Sequence, residues 1–158
     1  MRVLFVCLGN ICRSPTAEGV FRHHVREAGL VDRIEIDSAG TGGWHVGAPP
    51  DERATAAAHR RGVTLEGAAR QVSPRDFDDY DLLLVMDREN HAELLRRAPG
   101  DEARAKVRYF REFDPESKAR GDLEVPDPYY GAERGFDDVL DMVDAASRGL
   151  LAELRATA

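Results

Sequence analysis

Cysteine is nearly absent from this chain: Cys7 and Cys12 are the only two in 158 residues. Two thiols exclude a disulfide scaffold, are too few for a zinc site built from thiolates, and fit a reducing compartment. Long apolar runs are missing too, since charged residues interrupt each one before it reaches signal-peptide or membrane-spanning length. A cytoplasmic protein is therefore expected, with export by a non-standard route left open. There is no run rich in lysine and arginine, and the net charge is −7, which argues against nucleic acid or an anionic membrane as a partner. No internal repeat or low-complexity segment occurs, and the length suits one domain spanning residues 1–158. His23 and His24 are neighbours in a helical pattern and cannot share a face, so they do not read as ligands, and no metal or cofactor is expected.

What is present alternates strand and helix. Val3 to Val6 and Leu82 to Met86 are continuous apolar runs, as central parallel strands require. Ile34 to Asp37 alternates like an edge strand, and Val107 to Phe110 is a fourth, weaker strand. Helical patterns cover 14–28 closed by Gly29, 52–61 closed by Gly62, and 88–98 opened by Asp87 as N-cap, with a short turn from Ser73-Pro74. Phe136, Val139, Leu140, Val143, Ala146, Leu150 and Leu154 recur at helical spacing and predict a long C-terminal helix. This order predicts an α/β fold with a parallel sheet and right-handed crossovers, its ligand at the carboxyl ends of the strands. Segments 40–50 and 111–134 read as long rim loops.

The most informative segment is Cys7-Leu8-Gly9-Asn10-Ile11-Cys12-Arg13-Ser14, which joins the first strand to the first helix. Inward-turned amides of such a loop, backed by the positive end of the helix dipole, make a site for a tetrahedral oxyanion. Cys7 as thiolate would be stabilised there by the amides, the helix N-terminus, Arg13 and a hydroxyl such as that of Ser14. Arg13 has the planar fork for two phosphate oxygens. Leu8, Gly9, Asn10, Ile11, Cys12 and Ser14 would then surround the bound group.

With Asp37-Ser38-Ala39-Gly40-Thr41, Trp44, Pro50 to Ala54, Ala69-Arg70-Gln71, Val85-Met86-Asp87 and Asp127-Pro128-Tyr129-Tyr130, the loop resembles the low-molecular-weight protein tyrosine phosphatase family over essentially the whole chain. The resemblance implies a three-layer αβα sandwich around a four-stranded parallel sheet, with flavodoxin-like strand order 2-1-3-4. It also implies hydrolysis of protein phosphotyrosine through a cysteinyl-phosphate, with no cofactor and inorganic phosphate as product. A monomer or weak dimer is expected, and a bacterial tyrosine kinase is one candidate substrate. Asp127 would be the acid that protonates the tyrosyl oxygen and then activates water, its backbone restricted by Pro126 and Pro128. Trp44, Tyr129 and Tyr130 lie on the rim loops, where aromatic walls would hold a phenyl ring; Trp44 could alternatively anchor its loop to the core.

By the same resemblance, Asn10 and Ser38 belong to a hydrogen-bond network that props the loop, with Asn10 left-handed. Many relatives add a histidine to that network where this chain has Gly67, so water or Glu66 is expected to substitute. Cys12, in the same turn as Cys7, suggests a reversible redox pair, or else a thiol that merely packs under the helix. Three rival functions remain. Phosphoarginine phosphatases resemble this family but tend to carry threonine at the place of Ile11. Arsenate reductases need further cysteines, and none follows Cys12. A phosphate-binding module would need neither nucleophile nor acid.

Overall fold

The computed structural model describes residues 1–129 and 134–157. Four parallel strands, β1 (Arg2–Cys7), β2 (Glu35–Gly40), β3 (Leu82–Val85) and β4 (Val107–Tyr109), form one sheet in the order β2-β1-β3-β4. β1 is central and pairs with β2 from Arg2↔Glu35 to Cys7↔Gly40, and with β3 from Val3↔Leu82 to Val6↔Val85. Val3 to Val6 and Leu83 to Val85 are fully buried, because helices cover both faces of the sheet. The predicted layers and strand order are those observed. β2 is the expected edge strand, but it begins one residue after Ile34 and runs on to Gly40.

On one face, α1 (Arg13–Glu27), α2 (Glu52–His59) and α7 (Arg134–Thr157) pack over Phe5, whose ring meets Phe21 and Phe110 edge-on at 5.8 and 4.9 Å. Across the sheet, Leu4, Val6, Leu83 and Val85 meet Phe77 of α3 (Asp76–Asp79) and Leu94 of α4 (Arg88–Arg97). Asp87 caps α4 as expected, accepting from Asn90 N–H at 2.8 Å.

Two parts differ from the sequence reading. A short helix α5 (Asp101–Ala105) precedes β4, and the segment read as one long loop from residue 111 begins within a 3-10 turn (Phe110–Phe113), followed by α6 (Pro115–Arg120). α6 carries clear local signals: Asp114 as N-cap, Pro115 in the first turn and left-handed Gly121 at its end. Its six residues are too short to show apolar periodicity. The 3-10 turn is held by α7, which passes so close that a Cβ on Gly149 would lie 1.7 Å from Phe113 O. No helix among the described residues is long and apolar enough to cross a membrane.

Candidate active site

β1 ends at Cys7 and α1 begins at Arg13, so the loop between them sits at the carboxyl end of the sheet, where parallel topology exposes backbone for ligand binding. Its carbonyls are drawn outward. Cys7 O accepts from Thr41 N–H at 2.9 Å, Leu8 O from Gly42 N–H at 2.9 Å, Ile11 O from Asp51 N–H at 2.8 Å and Cys12 O from Thr16 N–H at 3.1 Å. The opposite edge of the loop is therefore amide N–H. Asn10 N–H points at Cys7 Sγ at 3.3 Å. The N–H groups of Leu8, Gly9, Ile11, Cys12 and Arg13 have no hydrogen-bond partner among the described residues. Converging unpaired donors at a helix N-terminus are an anion site.

Beneath the loop runs a chain of buried polar groups. Ser14 Oγ lies 3.0 Å from Cys7 Sγ, and Asn10 Nδ2 donates to Ser14 Oγ at 2.8 Å and to Ser38 Oγ at 3.0 Å. Asn10 is left-handed (φ 57°), the expected strained corner, and its Oδ1 accepts from Arg70 N–H at 3.0 Å. Ser38 Oγ donates to Glu18 Oε1 at 2.5 Å. The outer acceptor from Ser38 is thus Glu18, while Glu66 makes no hydrogen bond to the network among the described residues and lines, with Gly67, Asn10, Ser38 and Glu18, a small cavity of about 70 Å³. The strand passes tightly under the loop at Gly40, where a Cβ would stand 2.7 Å from Leu8 O.

Arg13 is 3 % exposed. Its Nη1 donates to Asp87 Oδ2 at 2.6 Å and to Val125 O at 3.1 Å, while Nη2 faces Asp127 Oδ2 at 3.6 Å. Burial opposes the guanidinium charge, but the Cys7 sulfur and the carboxylates of Asp87 and Asp127 outweigh it and hold Arg13 above its ordinary range. Asp127 Oδ1 accepts from Tyr129 N–H at 3.0 Å, which leaves Oδ2 to face the loop.

These groups enclose a cavity of about 290 Å³ lined by Cys7, Leu8, Gly9, Ile11, Cys12 and Arg13 from below and by Trp44, His45, Asp127 and Tyr129 around them. Trp44 is 75 % exposed, so it does not anchor its loop in the core. Asn10 and Ser14 do not line the cavity; both side chains lie under the loop as its supports. Tyr130 lies outside the described residues. Cys12 is buried, and its thiol is pushed up to about 12 by burial and by Asp51, Cys7 and Asp127.

Sequence reasoning missed His45, although it follows Trp44 in the same rim segment; its ring lies 6.0 Å from that of Tyr129. It also missed Arg53, whose guanidinium stacks on Tyr129 and donates to Tyr129 O at 2.8 Å. Asp87 read only as a helix cap. Glu18 was legible from its spacing, four residues after Ser14 on one helix face.

The family model described as low molecular weight phosphotyrosine protein phosphatase matches residues 2–158. The chain belongs to this family. Among its relatives, a low molecular weight protein-tyrosine-phosphatase of Streptomyces coelicolor is 52% identical over 154 residues, covering 98% of this chain and 93% of the relative. The crystal structure of a protein tyrosine phosphatase from Entamoeba histolytica superposes with a TM-score of 0.93 at 38% identity, covering 99% of this chain and 98% of the other. A Drosophila arginine phosphatase superposes at 0.89 with 30% identity, covering 98% of each chain. Within the phosphatase family the C-x5-R loop is the phosphate-binding element, and Cys7 and Arg13 occupy its two defining positions. Among the described residues, no group of three or more His, Cys, Asp or Glu could hold a metal ion.

Proposed function

We propose that this protein hydrolyses phosphotyrosine in proteins through a cysteinyl-phosphate. The observation that carries the reading is the Cys7 sulfur at the base of a ring of unpaired amides, with Arg13 beside it and Asp127 Oδ2 across the cavity mouth. In the first step Cys7 sulfur attacks phosphorus, the S–P bond forms and the P–O bond to the aryl group breaks. Asp127 gives its proton to the departing tyrosyl oxygen. In the second step water attacks phosphorus, Asp127 takes its proton, and the S–P bond breaks to release inorganic phosphate and the thiolate. Arg13 and the loop amides hold the equatorial oxygens through both steps.

Trp44, Tyr129 and Ile11 supply apolar surface for the phenyl ring, which supports an aryl over a short alkyl phosphate. Hydrolysis of p-nitrophenyl phosphate and of a phosphotyrosine peptide, lost in Cys7→Ser, is the expected result; turnover surviving that change would overturn the assignment. Phosphoarginine is the alternative substrate within the family, given the arginine phosphatase among the neighbours. The apolar Ile11 in the cavity wall favours the aryl group, and Ile11→Thr is expected to shift the ratio of phosphoarginine to phosphotyrosine turnover upward.

Further parts of the proposal are a cytoplasmic location, a monomer or weak dimer, a tyrosine kinase among the substrates, and reversible oxidation pairing Cys7 with Cys12. The last is supported by both cysteines lining one cavity.

A further inference from the structure

Leu8 and Trp44 line the catalytic cavity and also a second basin of about 270 Å³. Its remaining side chains come largely from α4, and they differ in whether they are paired. Glu93 binds Arg97 Nε at 2.7 Å as well as Arg96, and Arg97 Nη2 donates to Thr41 O at 2.9 Å, so that pair is satisfied internally. Glu89, exposed on the first turn, has no ion pair or hydrogen bond among the described residues. Asn90 is 2 % exposed. Its Oδ1 accepts from Met86 N–H at 3.4 Å, which fixes the amide orientation, and its Nδ2 has no acceptor among the described residues. The donor is open to solvent rather than sealed in, since among the described residues only Arg111 Nε and Ser147 Oγ are fully enclosed without a partner, and the basin that Asn90 lines is where an acceptor can reach it.

Building on the phosphatase reading above, we infer that this basin is a substrate subsite for the chain flanking phosphotyrosine, selecting a basic residue there. A backbone carbonyl of the substrate accepts from Asn90 Nδ2, a lysine or arginine side chain pairs with Glu89, and apolar stem atoms rest on Leu8 and Trp44, which are 39 % and 75 % exposed. Because the basin and the catalytic cavity share two wall residues, the selected residue lies within one or two positions of the phosphotyrosine, each extended residue advancing roughly 3.3 Å.

The test is a set of phosphotyrosine peptides with arginine, alanine or glutamate scanned through the three positions on either side, with p-nitrophenyl phosphate as the reference that leaves the basin unfilled. Arginine should exceed glutamate in kcat/KM by about three- to fivefold at one or two positions on one side, the size expected of a solvent-exposed pair, and the preference should shrink at high salt. Glu89→Gln should flatten the preference and Glu89→Lys invert it. A flat profile in the unmodified enzyme, or the same arginine-to-glutamate ratio in Glu89→Lys, overturns the subsite while p-nitrophenyl phosphate turnover keeps the hydrolase reading intact. No turnover of p-nitrophenyl phosphate overturns both.

Discussion

Arg13 and Asp87 are joined at 2.6 Å through Oδ2, while Oδ1 of the same carboxylate caps α4. One side chain therefore anchors the buried guanidinium and starts the helix that walls the neighbouring basin. The loop before β1's partner helix and the turn after β3 are rigidly linked by it.

Those two roles of Asp87 are separable. Asp87→Ala should lose both the cap, about 1 kcal/mol of stability, and the orientation of Arg13. Asp87→Ser keeps a capping oxygen but cannot reach Arg13 with a charge. Thermal melting should fall for alanine and recover for serine, whereas kcat on p-nitrophenyl phosphate should fall well over tenfold in both. Recovery of kcat in Asp87→Ser would show that the carboxylate matters only to the helix.

Asp127→Ala should separate substrates by leaving group. Proton donation contributes about 10²- to 10⁴-fold where the departing oxygen is basic, so a phosphotyrosine peptide should lose far more than p-nitrophenyl phosphate in the cleavage step. Single-turnover kinetics on both substrates make the comparison, and equal losses would exclude the acid role.

Glu18 should act on turnover without touching substrate. Ser38 donates to it at 2.5 Å, and its second oxygen binds Arg22 at 2.8 Å, so Glu18→Ala leaves the Asn10–Ser38 support without its end. One hydrogen bond to a charged group is worth about 1.5–3 kcal/mol, and a loss in kcat of roughly tenfold is expected, with little change in KM. Glu18→Gln retains an acceptor oxygen and should recover most of the rate; an alanine variant as fast as the parent would remove Glu18 from the network's function.

Oxidation gives a pH test. The Cys12 thiol is pushed up to about 12, first by burial and then by Asp51, Cys7 and Asp127, so at neutral pH little of it is the thiolate that would attack an oxidised Cys7. Raising pH from 7 to 9 lies wholly below that value, so the thiolate fraction, and with it the rate of disulfide closure after a peroxide pulse, should rise about tenfold per unit. Mass spectrometry follows the closure. Thiol-reversible inactivation should become irreversible in Cys12→Ser, and full reversibility in that variant would rule out the pair.

Much of the frame is local information. Val3 to Val6 and Leu82 to Val85 are apolar without interruption because both faces of the sheet are covered, and that pattern is readable without coordinates. The loop from Cys7 to Ser14 is likewise contiguous, so its chemistry could be named from residue types and spacing alone. α5 and α6 escaped because five or six residues show no period, although the cap residues of α6 are in place.

By itself, the sequence determined the parallel α/β frame, the nucleophile and phosphate clamp, and the absence of a disulfide scaffold, since each depends on neighbours along the chain. Only the tertiary structure decided that Asp87 grips Arg13, that Ser38 ends its network on Glu18, that Trp44 is exposed, and that Asn90 lines the basin beside the site. Those relationships join residues as far as 74 positions apart. They form when the sheet and its helices pack, and apart from the Ser14-to-Glu18 helix spacing no rule along one strand or one helix encodes them.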